Sequence, residues 1–145
     1  MTTRRLYVAE PRAVWLARPP VVADFSVLAA PLFAEPQADE TAALLQQRAL
    51  HAPSLLPCEL ARVALMKQRA DASPVEIDTA LTDFAEQRIE PHPVPPAAVT
   101  ALAARHGVRA YDAACPWLAA ELRATLLTFN QRLMRVAQQQ PRRTD

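Results

Sequence analysis

A single glycine, Gly107, serves a chain of 145 residues that carries 14 prolines. Glycine is the residue that reaches left-handed backbone at little cost and lets a main chain approach a ligand closely. Its scarcity therefore removes whole classes of structure. Phosphate loops of the GxGxxG or Walker A kind cannot be written with one glycine, so nucleotide cofactors held by such loops are not expected. The prolines take over the punctuation, and several stand where a helix should begin. A hydrophobic content of 51% separates the chain from disordered proline-rich segments, and its length suits one domain with a real core.

The net charge of +1 announces no basic field for nucleic acid, although a local patch can still meet phosphates. Cys58 and Cys115 form no CxxC pattern and read as reduced, buried structural thiols of a cytosolic protein. No apolar run approaches the ~20 residues of a membrane span. The opening Met1-Thr2-Thr3-Arg4-Arg5-Leu6 lacks the apolar core of a signal peptide. The expected setting is the cytoplasm, with no membrane.

Residues 1–19 form an arginine-bearing N-terminal extension with Tyr7 and Trp15 and no clear period, open to reading as a loose tail or an arm on another subunit. Residues 20–25 read as a buried strand, and 26–34 as a short helix that Pro31 shortens or kinks. Residues 36–50 carry apolar side chains at roughly helical spacing, and His51-Ala52-Pro53 is a brief extended crossing. Residues 55–70 are a helix, with Leu55, Leu56, Leu60, Val63, Ala64 and Met66 on one broad face. Ser73 and Glu76 spell a capping box with Pro74 at the first helical position, opening a helix to about Gln87. Pro91 and Pro93 allow residues 88–94 at most a short or edge strand. Helices follow over 96–106, stopped by Gly107, and over 111–122. A strand over 124–128, a helix over 130–139 and a polar tail, 141–145, complete the chain. Strands alternating with helices predict a three-layer α/β/α fold around a central parallel sheet of about four to five short strands, in a domain spanning 20–140.

Asp24, Glu59 and Asp112 then stand out. Ligands of open α/β sheets bind beyond the carboxyl ends of the strands. Asp24 ends the first strand and Thr128-Phe129-Asn130 ends the last, while the helices of Glu59 and Asp112 can reach that edge. Converging carboxylates suit Mg²⁺ or Mn²⁺. Each acid also has a structural reading. Asp24 and Asp112 could cap the helices that follow them. Glu59 lies on an apolar helix face, where a carboxylate needs a partner, and Arg62 is in reach as one. His51, His92 and His106 share no metal-ligand spacing and read as solvated.

Val22-Ala23-Asp24-Phe25-Ser26-Val27-Leu28 resembles the opening D-x-S strand of the PIN-domain nucleases. Cys58-Glu59-Leu60-Ala61-Arg62-Val63 resembles the E-L-x-x-V helix of that family, and Tyr111-Asp112-Ala113-Ala114 its Y-D-A-A segment. Leu126 to Leu133 is similar to its L-x-T-x-D-x-x-L ending. The motifs follow in order across residues 20–137, and the nearest subgroup by resemblance is the VapC-like toxins. The resemblance implies a Mg²⁺- or Mn²⁺-dependent ribonuclease of the bacterial toxin–antitoxin kind, acting on RNA, held by a cognate antitoxin and forming a homodimer. Carried over by position, Asp24, Glu59 and Asp112 would be catalytic metal ligands or water-orienting groups, with Ser26 and Thr128 as supporting hydroxyls. The position of the family's fourth acid holds Asn130, which keeps a carbonyl oxygen and loses the charge. Pro116 also departs from the pattern, close to Asp112. Arg62 and Arg132 are candidates for RNA phosphates. Asn130, Pro116 and the extension leave a second reading open, a PIN-fold protein of impaired catalysis that binds RNA or a protein partner.

Overall fold

In the computed structural model, whose described residues are 3–9 and 18–140, the alternating pattern folds into one five-stranded sheet with helices on both faces. The strands are β1 (Tyr7–Ala9), β2 (Pro20–Ala23), β3 (Ala49–Pro53), β4 (Ile89–His92) and β5 (Thr125–Thr128). The helices are α1 (Phe25–Leu32), α2 (Ala38–Gln46), α3 (Leu56–Arg69), α4 (Pro74–Glu86), α5 (Pro96–His106), α6 (Ala110–Leu122) and α7 (Gln131–Gln138). The sheet order is β1-β5-β2-β3-β4, parallel except for β1, which runs antiparallel along β5. Trp15 and the tail 141–145 lie outside the described residues.

Period-two alternation divides the core between the two sheet faces. Val21, Ala23, Ala52 and Leu127 pack with α1 to α4, whereas Val22 and Leu126 meet Cys115, Leu118 and Ala119 of α6. A separate cluster joins α5 to α6 and α7 through Val99, Leu102, Ala113 and Val136. β2, central in the sheet, is buried on both faces because α1 to α4 cover one and α6 the other, and its residues read accordingly as a continuous apolar run.

Residues 7–9 show no strand period in sequence, yet β1 pairs Tyr7 with Thr128 and Ala9 with Leu126. Ahead of β1, Arg4 reaches Glu35 and stacks over the Phe129 ring at 4.8 Å. Three other points differ from the sequence reading. Leu55 and Met66 of the helix face are 44% and 52% exposed, and Cys58 is exposed, so only Cys115 is a buried thiol. His51 and His92 are half-buried members of β3 and β4 rather than solvated loop residues. Their rings stand 5.0 Å apart between centroids, a contact that sequence spacing cannot reveal because it arises only through strand pairing. No described helix is long and apolar enough to cross a membrane.

Local signals set most helix ends. Ser73 Oγ accepts from the Glu76 amide and the Glu76 carboxylate accepts from the Ser73 amide, both at 3.1 Å. Pro31 sits one residue before the end of α1. Gly107 closes α5 at φ 61°, and a Cβ there would meet Arg132 Nη2 at 3.3 Å. With no second glycine available, Ala34, Asp71 and Arg123 adopt positive φ themselves, a conformation costing L-residues roughly 1–2 kcal/mol.

Replacing the exposed Ala34 by glycine should therefore raise stability by about 0.5–1 kcal/mol, part of the relief being offset by unfolded-chain entropy. Leu126→Ala, at a fully buried position, should cost about 3 kcal/mol. Urea denaturation of the two variants against the parent checks both signs.

Candidate active site at the carboxyl edge of the sheet

Asp24 leaves β2 at its carboxyl end and serves as N-cap residue of α1, but its side chain makes no cap hydrogen bond to that helix. Its Oδ2 instead accepts from Ser26 Oγ at 2.9 Å and from Thr128 Oγ1 at 3.0 Å, and the Phe25 amide also stabilises the carboxylate. Thr128 in turn accepts the Asn130 amide at 3.0 Å. The hydroxyl is thus oriented with its proton toward Asp24. Burial raises the Asp24 pKa despite these donors, and the nearby Asp112 adds repulsion.

Glu59, on the first turn of α3, comes to the same place from the layer that also holds α1. It is half-buried and has no hydrogen bond or ion pair among the described residues. Burial pushes its pKa up to about 7, reinforced by Asp24 and Asp112 and opposed by Arg62 and Arg109. Arg62 is no close partner: its Nη1 donates to Met66 Sδ at 3.4 Å.

Asp112 occupies the first turn of α6, where a carboxylate complements the helix dipole. It does not cap that helix. The exposed Arg109, at the N-cap, grips it through Nε at 2.9 Å and Nη2 at 3.5 Å. This arginine went unnoticed in sequence, although its i,i+3 spacing to Asp112 on a helix start was a usable signal. Pro116 lies in the interior of α6, buried, and cannot donate to the Asp112 carbonyl one turn back.

The fold thus brings Asp24, Glu59 and Asp112 within electrostatic reach of one another at one sheet edge. Cys115 shares the location: its buried thiol is held well above its ordinary pKa by burial and then by all three acids. Glu59, Tyr111 and Cys115 border a small hollow against Ala23 and Phe25. Three crowded carboxylates, with protonation of Asp24 and Glu59 favoured by burial, form an oxygen-rich donor set suited to a hard divalent cation. The residues present fit such an ion.

Asn130 and Arg132 make contacts within the scaffold. Asn130 Oδ1 accepts the Arg132 and Leu133 amides at 3.0 and 3.4 Å, so the carbonyl that could face a metal caps α7 instead. Arg132 Nη2 donates to the carbonyls of Gly107 at 2.6 Å and His106 at 3.4 Å, tying α7 to the end of α5. Its guanidinium is committed to that closure. Arg62 remains exposed on the α3 surface.

The model of the PIN domain family matches residues 21–139 of this chain. No curated protein matches it.

Because the folded-state pKa of Glu59 lies above the ordinary 4.5, the folded protein binds the extra proton. Its contribution to stability is complete below about pH 4.5 and is lost as pH rises to about 7. Thermal melts of metal-free protein should show the melting temperature falling across that window, with a smaller fall in Glu59→Gln. At pH 8, Asp24→Asn should melt a few degrees higher than the parent, since it removes a buried charge and keeps an acceptor for Ser26 and Thr128. A lower melting point would contradict the assigned electrostatics.

Proposed function

Since this chain belongs to the PIN domain family, whose nucleases generally use divalent metal ions, we propose that it is a Mg²⁺- or Mn²⁺-dependent endoribonuclease with Asp24, Glu59 and Asp112 at its catalytic centre. The observation that carries this reading is the convergence of those three acids, with Glu59 making no hydrogen bond or ion pair among the described residues. A bound divalent ion would supply Lewis acidity toward the scissile phosphate and lower the pKa of water.

The chain's own residues divide the remaining work. Asp24 is a fixed ligand, because Ser26 and Thr128 hold one of its oxygens in place from two different elements. Glu59, half-buried beside the other two acids, is placed to orient an attacking water and take its proton. Asp112 would add a third carboxylate toward such an ion, and the exposed Arg109 that now pairs with it could instead meet an RNA phosphate. Arg62 can add a second positive contact from α3. Residues 20–140 form the catalytic unit, and the extension 1–19 contributes the β1 edge strand through residues 7–9. The VapC-like resemblance of its motifs supports extending this reading to a toxin role in the cytoplasm, a homodimeric state and an antitoxin segment lying across the acidic site.

One observation favours the second reading, a binding module of impaired catalysis. Asn130 carries no charge, and its carbonyl is taken up by α7. A second metal ion would then have fewer ligands. Asn130→Asp tests this cleanly, because aspartate caps a helix as well as asparagine does.

Cleavage of a structured RNA in Mg²⁺ and in Mn²⁺ should be abolished by Asp24→Asn and lowered about 100-fold or more by Glu59→Gln. Asn130→Asp should raise the rate if the missing charge limits turnover. Absence of metal-dependent cleavage by the parent and by Asn130→Asp alike would reject the nuclease reading.

A further inference from the structure

A different donor set stands on the neighbouring strands. Parallel pairing sets His51 of β3 opposite Glu90 of β4 and Pro53 opposite His92. Period two then puts His51, Glu90 and His92 on one face of the sheet. His51 Nδ1 lies 2.8 Å from His92 Nε2 and 3.5 Å from a Glu90 carboxylate oxygen, while His92 Nε2 is 4.0 Å from the other. All three ligand atoms fall within 4.8 Å of one another, the one such group of His, Cys, Asp and Glu among the described residues.

The short ring contact has an ion-free explanation, an N–H of one imidazole donating to the other. The third ligand, its chemistry and the spacing go further. Around a tetrahedral Zn²⁺ with bonds of about 2.0–2.1 Å, ligand atoms stand roughly 3.3 Å apart. The His51–His92 and His51–Glu90 distances of 2.8 and 3.5 Å bracket that value, and the 4.0 Å from His92 to the other Glu90 oxygen exceeds it, so side-chain adjustment within the group would bring the three onto one ion. The backbone need not move, because both strands are fixed by their ladder. We infer that His51, Glu90 and His92 form a binding site for a borderline divalent transition ion of the Zn²⁺ type, with three protein ligands and a fourth position open to solvent.

Two imidazoles favour such an ion over Mg²⁺ or Mn²⁺, which go to all-oxygen sites. The site is separate from the acidic one: the charges acting on His51 are Glu90 and His92, and none of the three acids is among them. Entry is open, since the Glu90 side chain is 66% exposed. His51 and Glu90 also border a cleft of about 790 Å³ shared with Arg48 and Arg88. An ion there would pin the edge strand β4 to β3, with no dependence on whether the protein cuts RNA.

The test is titration of the full chain with Zn²⁺ in excess Mg²⁺, read by competition with a chromophoric chelator and by the visible spectrum of a Co²⁺ substitute. One equivalent should bind, with tetrahedral Co²⁺ absorption and a higher melting temperature. His92→Ala should weaken binding by more than about 100-fold, beyond the loss expected from an outer-sphere partner. Asp24→Asn should leave it unchanged. Circular dichroism checks that each variant folds; if His92→Ala does not, His51→Gln and Glu90→Gln provide the same comparison. Absence of stoichiometric Zn²⁺ binding overturns the inference, as does binding that survives the ligand variants or is removed by Asp24→Asn.

Discussion

The hydrogen bond from Thr128 Oγ1 to Asp24 Oδ2 joins residues 104 positions apart, and the architecture of the acidic edge depends on it. Asp24 can be buried as a carboxylate only because β5 brings a hydroxyl alongside the end of β2, and Ser26 brings another from α1. A buried carboxylate without such donors costs several kcal/mol. The same threonine takes the Asn130 amide, so the start of α7 is set by the bond that holds the acid. Strand pairing, helix entry and site geometry are thus one network.

That network stops short of neutralising the site. Burial and mutual repulsion still raise the Asp24 and Glu59 pKa values; among the described residues Arg109 alone forms an ion pair with these acids, on Asp112, while Arg62 acts on Glu59 only through its field. Charge concentrated beyond what the fold compensates is unfavourable for stability alone, and a divalent cation would relieve it. The surroundings follow the same logic: Cys115 is kept as a thiol by burial and by the acids. Catalytic centres commonly carry such groups with displaced pKa values at some expense of stability.

The sheet also sorts donors by type. Its β2–β5 edge gathers oxygens from three elements, whereas the β3–β4 pair gathers two imidazoles and a carboxylate. Both arrangements use rigid neighbouring strands as a frame, which holds side chains more exactly than loops do. Their chemistries differ enough that hard and borderline ions would not compete for the same place.

Much of the fold was legible along the chain because its signals are local. The capping box at Ser73, the stop at Gly107, the prolines at helix starts and the apolar run of β2 fixed the order and type of elements within a few residues. The three acids were legible too, as acids at a strand end, on an apolar helix face and at a helix start. What sequence could not determine were contacts between distant segments. The antiparallel pairing of residues 7–9, the meeting of His51 with His92, and the use of Arg132 to close α5 exist only once strands and helices are side by side. The same holds for electrostatics. Residue identity made Glu59 a carboxylate, but only its burial beside Asp24 and Asp112 moved its pKa to about 7, because desolvation and repulsion are properties of place.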